Sequence, residues 1–148
     1  MNLNLNLGCG HNKLEGCINI DIRPEVNPDL VCDCLSLPYA DNSVDVVYAA
    51  DFLEHIPIGK TVAMVEEIYR VLKPGGMLIH FTPSTDGRGA FQDPTHVSFW
   101  NINSWLYFMD DERRNLYGIK AKFSGHNQDV WSEHKICHTH GYLKKEIA

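Results

Sequence analysis

The chain has 148 residues, a mass of 16.8 kDa and a formal net charge of −6 at pH 7. With 44% hydrophobic and 22% charged residues, it has the balance of an ordinary globular core, and its length fits one domain over residues 1–148 without a disulfide or metal staple. No apolar run approaches the ~18 residues of a membrane span, the acidic balance disfavours a nucleic-acid coat, and five cysteines, an odd count, read as free thiols of a reducing cytosol rather than a disulfide framework.

Asn2, Asn4 and Asn6 alternate with Leu3, Leu5 and Leu7, the period of a strand and not the pattern of a secretory leader, so a cytoplasmic location is expected. Leu5-Asn-Leu-Gly-Cys-Gly10 sets two glycines directly after that strand. There the backbone can turn sharply and approach a ligand that a Cβ would repel. The nicotinamide fingerprint needs a third glycine at position 13, which is lysine, so a dinucleotide dehydrogenase is not favoured. Ile18, Ile20 and Ile22 alternate with Asn19 and Asp21 in a second strand. Gly8 to Cys17 leave less than the roughly dozen residues of a parallel crossover, so the first helix is expected to be shortened or absent. The polar positions Asn2, Asn4, Asn19 and Asp21 then predict a wetter sheet face at these strands.

Asp33, in Val31-Cys-Asp-Cys-Leu35, follows a third extended stretch, and Val44–Ala50 is apolar and β-branched, the mark of a buried strand. Val62, Val65, Tyr69 and Leu72 recur at helical spacing, broadened by Ile68, and Glu66 four residues before Arg70 predicts a surface ion pair. Pro74-Gly-Gly76 stops that helix and Met77–Thr82 forms the next strand. Strand, helix and strand at this spacing make a parallel βαβ unit.

Pro83–Trp100 is polar and glycine-rich, then aromatic, as suits a loop over a substrate. Asn103–Asp110 reads as a short helix capped by Asn103 or Ser104. Ile119–Phe123 and Tyr142–Ile147 read as strands whose lysines would blunt a sheet edge. Residues 113–148 carry 7 basic and 3 acidic side chains with four of the eight histidines, against 6 basic and 16 acidic in residues 1–112. That unevenness reads as a solvated edge before it reads as a site for acidic substrates.

Taken in order, the glycine turn, Asp21, Asp33, Ala50-Asp-Phe-Leu-Glu-His-Ile56 and Val71-Leu-Lys-Pro-Gly-Gly-Met77 resemble the class I S-adenosylmethionine-dependent methyltransferases. The resemblance, to their small type 11 branch in particular, covers roughly residues 3–83. It implies an α/β fold: a doubly wound, Rossmann-like, mostly parallel sheet with an antiparallel C-terminal edge hairpin and ligands at the carboxyl ends of its strands. It also implies S-adenosyl-L-methionine as cofactor, with Gly8, Cys9 and Gly10 under its methionine part. Asp21 and Ile22 would then hold the ribose, Asp33, Cys34 and Leu35 would bracket the adenine, and Ala50 and Asp51 would close the pocket beneath the sulfonium. Asn6 stands where the family usually carries an acidic residue for the methionine amino group, and an amide accepts that bond with less charge assistance.

Methyl transfer is an in-line displacement accelerated by holding donor and acceptor aligned, and a base is needed only where the acceptor must lose a proton. His96 is the candidate base, because imidazole titrates near neutrality. Asp93 would orient it or simply start a turn at Asp93-Pro94, and His96 itself reads equally as a pin that bonds the loop backbone. His55 faces the pocket or caps packing, with packing favoured; Phe99, Trp100 and Trp105 read as core. Cys32-x-Cys34 and Cys137-His138-Thr-His140 lack the paired spacing of a zinc module, so no metal site is expected. The expected activity is methyl transfer to a small-molecule or sugar-type acceptor. The rivals are a non-catalytic partner subunit, and a nucleic-acid or protein methyltransferase for which only the C-terminal third offers a basic surface.

Overall fold

A computed structural model describes residues 1–148. Seven strands form one sheet: β1 (Asn4–Leu7), β2 (Ile18–Asp21), β3 (Leu30–Val31), β4 (Val44–Ala50), β5 (Leu72–Pro83), β6 (Phe123–Ser132) and β7 (Ile136–Lys145). Their order is β3-β2-β1-β4-β5-β7-β6. β1 to β5 pair in parallel, and β7 runs antiparallel to both of its neighbours. The mostly parallel Rossmann-like sheet and its antiparallel C-terminal hairpin are therefore present. Strand order reverses at β1, which pairs with β2 on one side and β4 on the other. Such a switch point opens a crevice at the carboxyl ends of the strands.

No helix joins β1 to β2. In its place the Asn6 side chain donates to the Asn12 carbonyl and to Asn19 Oδ1, both at 2.9 Å. Asn19 Oδ1 also accepts from the Leu14 amide at 2.8 Å, and its Nδ2 donates to Asp29 at 2.8 Å. This narrows the expectation of a wetter face, which the burial of Asn19 and Asp21 overturns and the exposure of Asn2 upholds. Asn2 is exposed and Asn4 half-buried, but Asn6, Asn19 and Asp21 are buried under the connecting loop. Hydrogen bonds with the loop and with Arg23 and Asp29 satisfy their polar groups and offset the cost of burying them.

The helix α1 spans Thr61–Val71 and buries Met64, Val65, Ile68 and Val71. Its inward stripe is turned from the expected one, because Val62 lies on the exposed side and Leu72 already belongs to β5. Nor does Arg70 pair with Glu66. It donates to Glu67 and Asp41 at 2.8 Å and to the carbonyls of Leu37 and Tyr39, while Glu66 accepts from the Lys120 amide. β5 starts at Leu72, earlier than expected; its register with β4 jumps between Leu72 and Met77, so the Pro74–Gly76 turn is absorbed as a bulge within the strand.

Against the expected Ile119–Phe123 and Tyr142–Ile147, β6 lies later in the chain and β7 starts earlier, and both are longer. Ten matched pairs from Phe123↔Lys145 to Ser132↔Ile136 fix them. Lys120 and Lys122 precede β6, which forms the edge. Lys145 turns inward from β7, where its Nζ donates to Asn42 and to the carbonyls of Tyr69 and Leu72. Between the halves lie a short helix α2 (Gly89–Gln92), a 3-10 helix (Ile102–Phe108) and α3 (Asp111–Tyr117). The 3-10 helix is capped by Asn101 rather than Asn103, with Ser104 returning the bond to the Asn101 amide.

The core occupies one face of the sheet. Leu5, Leu7, Ile20, Val47, Ala49, Leu78 and Leu143 meet the buried side of α1 and Trp105 there. Trp100 and Trp105 are core as expected, whereas Phe99 is exposed and stacks on Phe91. On the other face Tyr48, Ile79, Phe81 and Tyr142 remain half-buried or exposed.

One core position is polar. His80 has no exposed surface, stacks on Trp105 with ring centroids 4.1 Å apart, and its Nε2 meets Asn127 Oδ1 at 2.8 Å. Burial pulls its pKa down to about 4, against the opposing pull of the Asn127 bond. The unfolded chain protonates this ring near pH 6.5, so it binds more protons than the folded chain between the two values. Stability is therefore full above pH 6.5 and falls as the pH drops toward 4, by on the order of 3 kcal/mol. Denaturant unfolding across that window should show the loss in the parent chain and a flatter curve in His80→Gln; identical curves would refute the assignment.

Candidate functional site

A cavity of about 540 Å3 opens at the switch point, at the carboxyl ends of β1, β2 and β4. Gly8, Asp21, Ile22, Asp33, Cys34, Leu35 and Asp51, all singled out from sequence, line it. Asn6, Cys9, Gly10 and Ala50 do not. Asn6 and Cys9 are buried behind the glycine turn, Gly10 bonds to Asp21, and Ala50 is exposed at the end of β4. Arg23, Cys32, Phe52, His55, Ile56, Pro57 and Thr95 complete the wall.

Gly8 has a φ of +60°, and a Cβ there would lie 2.3 Å from Phe52 Cδ2. Only glycine combines a left-handed backbone with that approach. Asp21 is buried; its carboxylate accepts from the Gly10 amide at 2.9 Å, the Arg23 amide at 3.0 Å and the Arg23 guanidinium at 3.1 Å and 3.3 Å. Burial alone would raise its pKa, but these bonds outweigh burial and hold it below the ordinary carboxylate range. The Arg23 side chain is 56% exposed, so it is free to leave. Asp33 Oδ1 accepts from the Leu35 amide at 2.9 Å, which fixes the turn after β3. Asp51 sits in the left-handed region with φ +48° and faces His138 at 3.4 Å.

Next to this cavity the turn Leu53–His55 meets the strap that follows α2. The Glu54 carbonyl accepts from the amides of Val97 and Ser98 at 2.9 Å and 3.1 Å, and Ser98 Oγ donates to the Leu53 carbonyl at 2.7 Å. These bonds bring three side chains together. Glu54 is 1% exposed and neither carboxylate oxygen has a partner. Burial, with the nearby charges of Asp51 and Asp93, pushes its pKa up to about 8. The His55 and His96 rings meet edge-on at 5.1 Å. His55 is 43% exposed on the cavity wall, which corrects the preference for packing.

His96 is held in two ways. Its Nδ1 lies 3.0 Å from the Ala90 carbonyl, which can only accept, so the proton sits on Nδ1 and the lone pair on Nε2. Asp93 stands 3.5 Å from that same Nε2 and caps Thr95 with its other oxygen. The ring is thus held at Nδ1 by Ala90, while Asp93 stands beside its other nitrogen and also starts the turn at Thr95. Glu54 was missed altogether: an acid between Leu53 and His55 carries no periodic signal, and its burial comes from the strap. A second cavity of about 590 Å3 beyond Ser98–Trp100 is lined by hydroxyl and apolar side chains, with no carboxylate, imidazole or lysine.

A family model described as a methyltransferase domain matches residues 5–80. Among curated proteins the chain is similar to 24-methylenesterol C-methyltransferase 2 of Arabidopsis thaliana, at 38% identity over 88 residues, 59% of this chain and 22% of that enzyme. The chain spans less than a quarter of the length of the curated plant relatives it matches. Its fold is similar to that of a SAM dependent methyltransferase from Archaeoglobus fulgidus, with a TM-score of 0.75 at 15% identity over 98% of this chain and 86% of that one. It is similar as well to the [4+2]-cyclase SpnF, with a TM-score of 0.73 at 17% identity over 99% of this chain and 76% of that one. At such identities likeness speaks for the fold and not for the reaction.

Proposed function

We propose, because this chain belongs to the methyltransferase domain family, that it transfers a methyl group from S-adenosylmethionine to a small-molecule acceptor seated beside Glu54, His55 and His96. One observation carries the reading: the left-handed Gly8 and the buried carboxylate of Asp21 converge on a single cavity at the switch point of the sheet. The cavity suits the cofactor, since it pairs carboxylates for hydroxyl groups with Ile22, Leu35 and Ile56 for an apolar ring. When bound, S-adenosylmethionine supplies a methyl group activated by its sulfonium.

The chain's own residues bind and align. Asp21 exchanges Arg23 for the ribose hydroxyls, Asp33, Cys34 and Leu35 border the adenine, and Gly8 lets the backbone approach the methionine part. Asn6, Cys9 and Gly10 support the turn from behind, and Asp51 borders the sulfonium end. Three carboxylates on the cavity wall disfavour a polyanionic acceptor. His96 assists loss of the acceptor proton through the Nε2 lone pair that Ala90 leaves free. Replacing His96 by asparagine is expected to lower kcat by about 100-fold, with S-adenosylhomocysteine affinity unchanged in calorimetric titration. Equal loss of both would assign His96 to structure alone.

A second reading, a cofactor-binding subunit of a larger assembly, is favoured by the open sheet face around Tyr48, Ile79, Phe81 and Tyr142. It expects S-adenosylhomocysteine binding without turnover in the isolated chain.

A further inference from the structure

Glu54 is the least explained group in the molecule. Both of its oxygens are buried without a donor, a placement that a carboxyl group meets by keeping its proton unless a cation or further donors compensate the charge. The atoms around it deepen the problem. His96 brings a ring nitrogen within 4.8 Å of the Glu54 carboxylate and of His55, Asp93 stands 3.5 Å from His96 Nε2, and His55 Nε2 lies 3.8 Å from Glu54 Oε1. Carboxylate, imidazole and imidazole each offer one electron pair, with donor atoms all within 4.8 Å of one another. Nothing positive stands among them. The Nδ1 bond of His96 to a backbone carbonyl is the outer contact that fixes the ring of a metal-ligating histidine.

We propose that Glu54, His55 and His96 bind a divalent transition-metal ion of the zinc or manganese class, with open coordination positions turned to the cofactor cavity. Two imidazoles and one carboxylate suit such ions and leave room for further ligands. His55 lines the cavity and thereby joins the two sites. The acceptor class follows from the chemistry: a compound that presents a hydroxyl oxygen to the ion, and best of all two adjacent oxygens that can chelate it. Coordination lowers the pKa of that hydroxyl, whose proton passes to solvent. The resulting oxyanion forms a new O–C bond to the methyl group as the C–S bond breaks, and the sulfur keeps the bonding electron pair. The products are a methyl ether, S-adenosylhomocysteine and one proton. On this account the His96 lone pair is committed to the ion, and proton loss is assisted through it.

The acceptor chemistry rests on the methyltransferase reading, whereas the ion site does not. The test is therefore made on the chelator-treated protein, by calorimetric titration with Zn2+ and Mn2+ and by the visible absorption of added Co2+. One ion per chain is expected, with affinity reduced by at least about 100-fold in Glu54→Gln and in His96→Gln. Both variants should still bind S-adenosylhomocysteine like the parent chain, which shows that they are folded. Absence of ion binding in the parent, or binding unchanged in both variants, overturns the proposal. Ion binding at this site without any S-adenosylhomocysteine binding would support it while removing the methyltransferase reading.

Discussion

Replacing Asp21 by alanine is expected to weaken S-adenosylhomocysteine binding by at least about 100-fold, because two charge-assisted hydrogen bonds to a buried carboxylate are lost together. Asp21→Asn, which keeps an acceptor for the Gly10 amide, should lose about tenfold. Arg23→Ala points the other way. Its guanidinium occupies the carboxylate in the free chain, so its removal should strengthen binding by a few-fold, because the ribose hydroxyls then no longer compete with it for Asp21. Calorimetric titration of the three variants checks the set. Parent-like affinity in Asp21→Ala would dismiss the ribose assignment and leave the glycine turn as architecture.

Gly8→Ala should have a large effect on stability. A non-glycine residue at φ +60° costs roughly 1–2 kcal/mol, and its Cβ would drive into the Phe52 ring at 2.3 Å, adding about 1–3 kcal/mol of overpacking. A loss near 3 kcal/mol corresponds to a fall in Tm of about 10 °C for a chain of this size. The two contributions separate in a double variant: Phe52→Ala should relieve the steric part but not the backbone part, so the two substitutions should combine less than additively. A Tm for Gly8→Ala within a degree or so of the parent would mean that the turn tolerates a right-handed alternative.

Strands β1, β2 and β4 were legible because one of their faces meets the core and the other does not, so alternation or a β-branched run is written into the sequence. The cavity wall was legible where carboxylates and glycines follow those strands. Helix α1 was legible in extent but not in rotation, since Met64 and Val71 also carry apolar side chains and only the sheet decides which stripe turns inward. The hairpin was misplaced for a different reason. Ser124 to Asp129 reads Ser-Gly-His-Asn-Gln-Asp, a run with no strand propensity, and it is extended only because β7 pairs with it residue by residue. The burial of Glu54 and the outward placement of His55 were hidden for the same kind of cause. Their environment is made by residues 93–98, some forty positions away, through bonds to the Leu53 and Glu54 carbonyls. Arg23 on Asp21 left no trace in the sequence, because an exposed arginine two residues from an acid is ordinary.

The connection from β1 to β2 is held by the side-chain amides of Asn6 and Asn19, where a helix would have held it by packed methyl groups. Apolar burial carries a large heat-capacity change and weakens on cooling, whereas uncovering amides shifts the heat capacity slightly in the opposite sense. The grip on the glycine turn is for that reason nearly athermal. Cooling leaves it tight. The wall proposed for the cofactor is thus held by polar bonds whose response to temperature differs in sign from that of the apolar core beneath it.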